Sequence, residues 1–256
     1  MGIAIDMSGR VVLVTGGTKG VGRGIAQRFA DAGATVAVSA RNEPDDLAPG
    51  WSFHPADVRD GEAAWAMVDD VVARCGRLDV LVNSAGGAPP ADTTSASPRF
   101  TERIVALNLL SAIYCSQRAN HHMQQQADGG SIVNIGSVTA QRPAPTVAAY
   151  GAAKAGLANF TLTAGQEWLP KVRVNCVTCG MIRTEQAALH YGDEAGIARV
   201  EATIPLGRLA WPHEVGDACV FLASPLASYV SGANLMLHGG GDRPPFLEAA
   251  SATSAR

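Results

Sequence analysis

The sequence contains no apolar run near the roughly 20 residues that a membrane-crossing helix needs, so a helical span is excluded. It also lacks a surplus of positive charge. Twenty Lys plus Arg face 23 Asp plus Glu, for a formal charge of −3. The clustered cations that phosphate-backbone contacts require are missing, which excludes a strongly basic nucleic-acid binder. No cleavage signature follows the first residues, and Asp6 stands where a myristoylation signal needs Ser or Thr. The five cysteines are too few and odd in number for a disulfide scaffold, and they point to reduced thiols in a cytoplasm. With 28 Gly and 14 Pro the composition is far from collagen-like, and 47% hydrophobic residues rule out a mainly disordered chain. There is no internal repeat.

What is present is an alternation of short apolar runs with longer amphipathic stretches. Residues 11–14, Val-Val-Leu-Val, form a buried strand by their length and β-branching. Residues 20–32 form a helix, with Val21, Ile25 and Phe29 on one face and Gly33 closing it. Further strands are expected at 35–39, 52–54, 78–82, 131–135, 172–177 and 235–237, and helices at 61–75, 99–126, 147–169 and 213–223. Strand, helix, strand at this spacing gives βαβ units. The expected fold is therefore α/β, a doubly wound (Rossmann) parallel sheet with helices on both faces, in one domain. That domain takes residues 1–241; residues 242–256, rich in Ala and Ser, form an extension on the surface or on a partner subunit.

Between the first strand and first helix lies Thr15-Gly16-Gly17-Thr18-Lys19-Gly20-Val21-Gly22. Glycines there permit a tight turn and let backbone N–H groups at the helix N-terminus approach a pyrophosphate. Gly22 is followed by Arg23-Gly24, so the loop is not a Walker loop. Tyr150 and Lys154 lie four residues apart on a predicted helix and emerge on one face. An ammonium beside a phenol is expected to lower the tyrosine pKa towards neutrality, as general acid work requires. Ser137 ends a strand on the edge where doubly wound sheets bind ligands, and its hydroxyl could hold a carbonyl. Ala40 and Arg41 stand where an NAD site carries a carboxylate. With Lys19, Arg41 supplies a second cation near a ribose 2′ position, while Glu43, Asp45 and Asp46 close behind oppose a phosphate.

Taken in order, these features resemble the short-chain dehydrogenase/reductase family over roughly residues 8–241. The resemblance rests on the Gly-x-x-x-Gly-x-Gly loop, Asn83-Ser84-Ala85-Gly86, Asn108, Ser137, Tyr150-Gly151-Ala152-Ala153-Lys154 and the closing Gly239-Gly240. It implies an oxidoreductase that interconverts a carbonyl and a secondary alcohol by hydride transfer. In that role Tyr150 donates or accepts the proton, and Lys154 lowers its pKa and bonds the nicotinamide ribose. Ser137 orients the substrate, and Asn108 holds a water linking Lys154 to solvent. The implied cofactor contacts are Gly16, Thr18, Lys19, Gly20, Val21 and Gly22 in the loop, then Arg41 beyond it. Asp57 and Val58 follow as an adenine clamp, then Asn83, Ala85 and Gly86, Tyr150 and Lys154, and Gly180, Ile182 and Thr184 beside the nicotinamide. Bases at positions 19 and 41 go with NADP in the family, so NADP(H) is favoured over NAD(H). For Asp57 the other reading is a helix cap.

One departure is Cys179-Gly180 where the family has Pro-Gly. Cys179 is expected beside the nicotinamide, where bulky alkylation would inhibit. Cys176 and Cys179 have a Cys-x-x-Cys spacing, but no second pair exists for zinc, and the six histidines sit at no ligand spacing, so no metal is expected. Residues 87–98 and 181–209 are expected to wall the substrate, the second carrying Arg183, His190, Tyr191 and Arg199. That suggests an apolar substrate with a polar end. Residues 205–209 and 221–224 look like the 3-oxoacyl-thioester reductase branch, though hydroxysteroid and sugar-alcohol branches share them. By resemblance the chain forms a homotetramer or dimer through residues 99–126 and 147–169. The rival readings are a non-catalytic NADP-binding redox sensor or scaffold, which needs none of the reactive positions, and an epimerase or dehydratase, for whose larger lobe little chain remains after Lys154.

Overall fold

The computed structural model describes residues 4–244. Seven parallel strands form one sheet in the order β3-β2-β1-β4-β5-β6-β7. They are β1 (Val11–Thr15), β2 (Thr35–Ala40), β3 (Ser52–Pro55), β4 (Val80–Asn83), β5 (Gly130–Ser137), β6 (Val172–Cys179) and β7 (Asn234–Leu237). β1 is buried along its whole length, as a central strand covered on both faces must be. The order reverses beside β1: β2 pairs with one side of it and β4 with the other. That switch point opens a crevice at the carboxyl ends of the strands.

Helices α1 (Gly20–Asp31) and α8 (Pro212–Ala223) cover one face, where Ile25, Phe29, Val215 and Leu222 pack on Val12 and Val14. Each fully buried side chain of that size contributes roughly 1.5–3 kcal/mol. The two helices approach closely because Gly24 and Gly216 lack side chains: a Cβ at Gly24 would lie 2.4 Å from Pro212, and one at Gly216 2.5 Å from Arg28. The other face is covered by α2 (Gly61–Cys75), α4 (Ser111–Met123) and α5 (Ala148–Glu167), with Val68, Val71 and Met123 against Leu13, Leu81 and Ile132. Asp60 caps α2 by accepting from the Ala63 N–H at 3.0 Å, and Gly76 ends it in a left-handed conformation.

The expected helix over 99–126 is not uniform. It divides into α3 (Pro98–Val105), a π-helical turn (Ala106–Leu110) and α4. Such one-turn widenings gather at functional sites, and this one carries Asn108. Two short helices, α6 (Ala187–Tyr191) and α7 (Glu194–Ala202), lie inside the segment read only as substrate wall. Of the expected C-terminal extension, Asp242 pairs with Arg142 at 2.6 Å and the Arg243 N–H donates to the Thr203 carbonyl at 3.0 Å. Residues 245–256 lie outside the described residues.

Candidate active site

The glycine loop turns from β1 into α1 with three glycines packed tight. A Cβ at Gly16 would lie 3.0 Å from the Ala85 Cα, at Gly17 2.7 Å from a Val38 methyl, and at Gly22 2.2 Å from the Gly16 carbonyl oxygen. Gly20 differs. It is left-handed, with φ +54°, and a Cβ there would meet nothing closer than Glu185 and Thr184 atoms at 3.8 Å. Its N–H, the first of α1, donates to Glu185 Oε1 at 3.0 Å. A carboxylate oxygen thus rests on the helix N-terminus where a dinucleotide phosphate oxygen would, so the cradle suits the anionic part of such a cofactor.

A cleft of about 350 Å³ runs from this loop to Ser137, Tyr150 and Lys154. It is lined by the expected Gly16, Lys19, Gly20, Val21, Gly22, Ala85, Gly86, Ser137, Tyr150, Lys154, Gly180, Ile182 and Thr184. Thr18, Arg41, Asp57, Val58, Asn83 and Asn108 are not on its wall. Asn83 departs furthest from its expected cofactor role: its side chain turns into the protein, Nδ2 donating to Ser116 Oγ and Asn134 Oδ1, both at 2.8 Å. It joins β4, α4 and β5 rather than facing a ligand. Val58 is buried against the α2 side of the core. Asp57 is gripped by Arg59, whose hydrogen bonds hold its carboxyl below the usual value with help from Arg41. Asp46, one of the acids expected to oppose a phosphate, is paired with Arg23 at 2.7 Å.

At the far end, Lys154 is 4% exposed and has no carboxylate partner; Nζ donates to the Ile135 carbonyl at 2.7 Å. Burial drives its pKa down to about 8. The ammonium stands 5.7 Å from the Tyr150 ring centroid. The expected lowering of the tyrosine pKa is absent: burial raises the phenol above its ordinary value, the Ser137 hydroxyl pulls the other way, and Cys179 and Tyr191 add to the rise. Desolvation of the phenolate is the largest influence on this group. The Ser137 hydroxyl also accepts from Thr139 Oγ1 at 3.0 Å.

Asn108 stands one layer behind the cleft. Its Nδ2 donates to the Ile104 and Gly87 carbonyls, both at 2.9 Å, and its Oδ1 accepts from the Gly87 N–H at 2.8 Å. A Cβ at Gly86 would fall 2.9 Å from that Oδ1 and 3.4 Å from Lys154 Nζ, so a glycine there brings amide and ammonium together.

Cys179 does line the cleft, but it is only 7% exposed and burial pushes its thiol up to about 12. The alkylation expected there is therefore slow, since the thiolate is the nucleophile. At this position a proline is replaced without loss of the strand: Cys179 pairs in register with Ser137 and Leu237. Among the described residues no cluster of His, Cys, Asp or Glu could hold a metal.

Tyr150 also borders a second, apolar cavity of about 290 Å³. Its walls come from Ala88, Pro89, Ala91 and Ala96, from Phe100 and Ile104, and from residues 146–150 and Ala152. Residues of the first expected wall segment thus border this cavity. In the second, His190 lines the cleft. Arg183 does not: it pairs with Glu194 at 2.8 Å and Glu201 at 3.7 Å and lies over the Trp211 ring. Arg199, in the last turn of α7, reaches neither cavity wall. Sequence reasoning missed Glu185, Gln186 and Thr146. Only the placement of Glu185 directly after the expected cofactor residue Thr184 could have signalled the first of these.

Comparison with known proteins identifies the family. The family profile described as Enoyl-(Acyl carrier protein) reductase matches residues 16–241. The chain belongs to the short-chain dehydrogenase/reductase family. It is 37% identical over 242 residues to the cis-4-hydroxycyclohexanecarboxylate dehydrogenase of Sinomonas cyclohexanicum, covering 90% of this chain and 96% of that one. The aldohexose dehydrogenase of Thermoplasma acidophilum superposes with TM-score 0.88 at 31% identity, covering 99% and 100% of the two chains. A gluconate 5-dehydrogenase from Burkholderia cenocepacia, solved with NADP and tartrate, superposes with TM-score 0.86 at 28% identity over 96% and 98%. The protein is an oxidoreductase of the type that acts on alcohol and ketone groups of small molecules. No helix among the described residues is long and apolar enough to cross a membrane.

Proposed function

We propose that this short-chain dehydrogenase/reductase is an NADP(H)-dependent enzyme reducing a carbonyl, or oxidising the matching secondary alcohol, on an apolar substrate with a polar end. The observation that carries this reading is the position of Tyr150, which borders both the cleft holding Ser137 and Lys154 and the neighbouring apolar cavity. A carbonyl oxygen between Ser137 and Tyr150 would leave its apolar substituent to that cavity. The Ser137 hydroxyl holds the oxygen, and the Tyr150 phenol, kept protonated by burial, gives it a proton. Lys154, buried next to the phenol, stabilises the tyrosinate left behind, and a water held by Asn108 would link its ammonium to solvent. The nicotinamide supplies the hydride when bound. NADP over NAD is supported by Lys19 in the cleft, by Ala40 and Arg41 in place of a carboxylate at the end of β2, and by the pairing of Asp46 with Arg23. A cytoplasmic setting is supported by five cysteines that are all free, and a homo-oligomer through α4 and α5 by the exposed Ala148, Ala152 and Ala155.

The test is NADPH consumption across 3-oxoacyl thioesters, ketosteroids, cyclic oxo-acids and small sugars, with NADH alongside. Turnover of one apolar class, weaker with NADH, supports the reading. Preference for NADH, or for an unsubstituted sugar, overturns it in that part.

A further inference from the structure

We infer that Glu185 is a strap that competes with the cofactor for the glycine loop and so sets nucleotide affinity and the rate of entry. This rests on the dinucleotide-binding reading above. Glu185 is 165 residues from Gly20 in sequence, yet its Oε1 takes the first N–H of α1 at 3.0 Å. The carboxylate forms no ion pair with any described residue, so that loop N–H is its anchor across the cleft. The root of the segment is fixed: Ile182 bridges to Ala210, the Arg183 N–H donates to the Ala210 carbonyl at 2.8 Å, and the Arg183 side chain pairs with Glu194 and Glu201. The tip is held only within itself, a short turn before α6 closed by the Gln186 N–H on Thr184 Oγ1 at 3.3 Å and the Ala187 N–H on the Thr184 carbonyl at 3.0 Å.

A carboxylate oxygen and a pyrophosphate oxygen are equivalent acceptors to that N–H, and both cannot sit on it. Nucleotide therefore enters only from conformations in which Glu185 has swung away, and its apparent affinity falls by the fraction of such conformations. The same segment carries Ile182 and Thr184 on the cleft wall, so the strap and the expected nicotinamide contacts belong to one stretch of chain.

The experiment uses the full chain with Glu185→Ala and Glu185→Gln. NADPH and NADH binding is followed by nicotinamide fluorescence at equilibrium and in stopped flow, and Gly20 amide hydrogen exchange is followed without nucleotide. The strap predicts that Glu185→Ala binds NADPH about fivefold tighter, mostly through faster association, and exchanges the Gly20 amide faster than wild type. Glu185→Gln, which keeps an acceptor but loses the charge, falls between. Unchanged or weaker binding overturns the strap. So does tighter binding with unchanged Gly20 exchange, because that is like-charge repulsion alone. If wild type binds neither nucleotide, the dinucleotide reading itself fails, a result distinct from either.

Discussion

The two ends of the sheet carry clefts of similar size and opposite character. At the amino ends of the strands, a groove of about 410 Å³ is edged by charges that are nearly all paired. Asp79 is 4% exposed, and its carboxylate takes Arg10 at 2.9 Å, Arg77 at 2.6 Å and the Val11 N–H at 2.9 Å. Arg173 and Lys171 spend their donors on carbonyls at helix ends, Leu222 and Ala223 for the first, Gln124 and Gln126 for the second. At the carboxyl ends the groups are under-provided. Lys154 is buried with one carbonyl, Thr146 is held at φ +70°, and Asn83 Oδ1 has no partner. Cavity volume does not separate the two ends; the satisfaction of the groups does. A buried charge that is fully paired holds the fold, and one left short of partners is available for chemistry.

The largest effect expected is on the carboxyl side and on rate alone. Tyr150→Phe should lower turnover about 10³-fold, near 4 kcal/mol in the barrier, with nucleotide binding and thermal midpoint little changed. Fluorescence titration and calorimetry check both. On the amino side, Asp79→Asn should cost about 2–3 kcal/mol of stability by chemical unfolding and leave turnover per folded molecule unchanged. Burial pushes that carboxyl up, but hydrogen bonds from Arg77, Val11 and Arg10 leave it below its usual value. The stabilisation is therefore complete above about pH 4 and is lost as pH falls through the folded value.

Lys154→Met should move the two properties apart. Activity is lost, yet stability at neutral pH rises by about 1–2 kcal/mol. Burial takes this lysine from 10.5 to about 8. Its cost is thus full below pH 8 and fades as pH climbs towards 10.5, so the stability gain of the variant shrinks over that window. A Lys154→Met protein less stable than wild type would break the contrast between the ends. The smallest effect is at Thr146, four residues before Tyr150, whose carbonyl accepts the Ala91 N–H at 2.8 Å. Thr146→Gly should gain about 1 kcal/mol by relieving the left-handed β-branched residue. A loss there would mean that the threonine side chain itself braces the cavity.

The parallel sheet was legible because its strands carry short, continuous apolar runs rich in β-branched residues, such as Val11 to Val14. The long amphipathic helices were legible by the same kind of periodicity. Helices α6 and α7 were not: at five and nine residues they show too few turns for a period, although Asp193, capping α7 on the Gly196 N–H at 2.9 Å, was a local sign. The π turn was hidden because it changes the hydrogen-bond step and not the residue pattern. Within the site, the glycine loop, Ser137, Tyr150 and Lys154 were singled out by the ordered motifs of the family resemblance, and they line one cleft; spacing contributed the shared helix face of Tyr150 and Lys154.

The residue types, their order and the periods of the apolar pattern were enough to define the sheet and its two helical layers, because these depend on local geometry repeated along the chain. Which groups are satisfied was settled by packing. Asn83 turns inward to Ser116 and Asn134, Arg183 leaves the cleft for Glu194, burial raises Tyr150, and Glu185 crosses to Gly20. Each of these is a choice between partners distant in sequence. Desolvation and hydrogen bonding act across space, and no spacing along a chain records them.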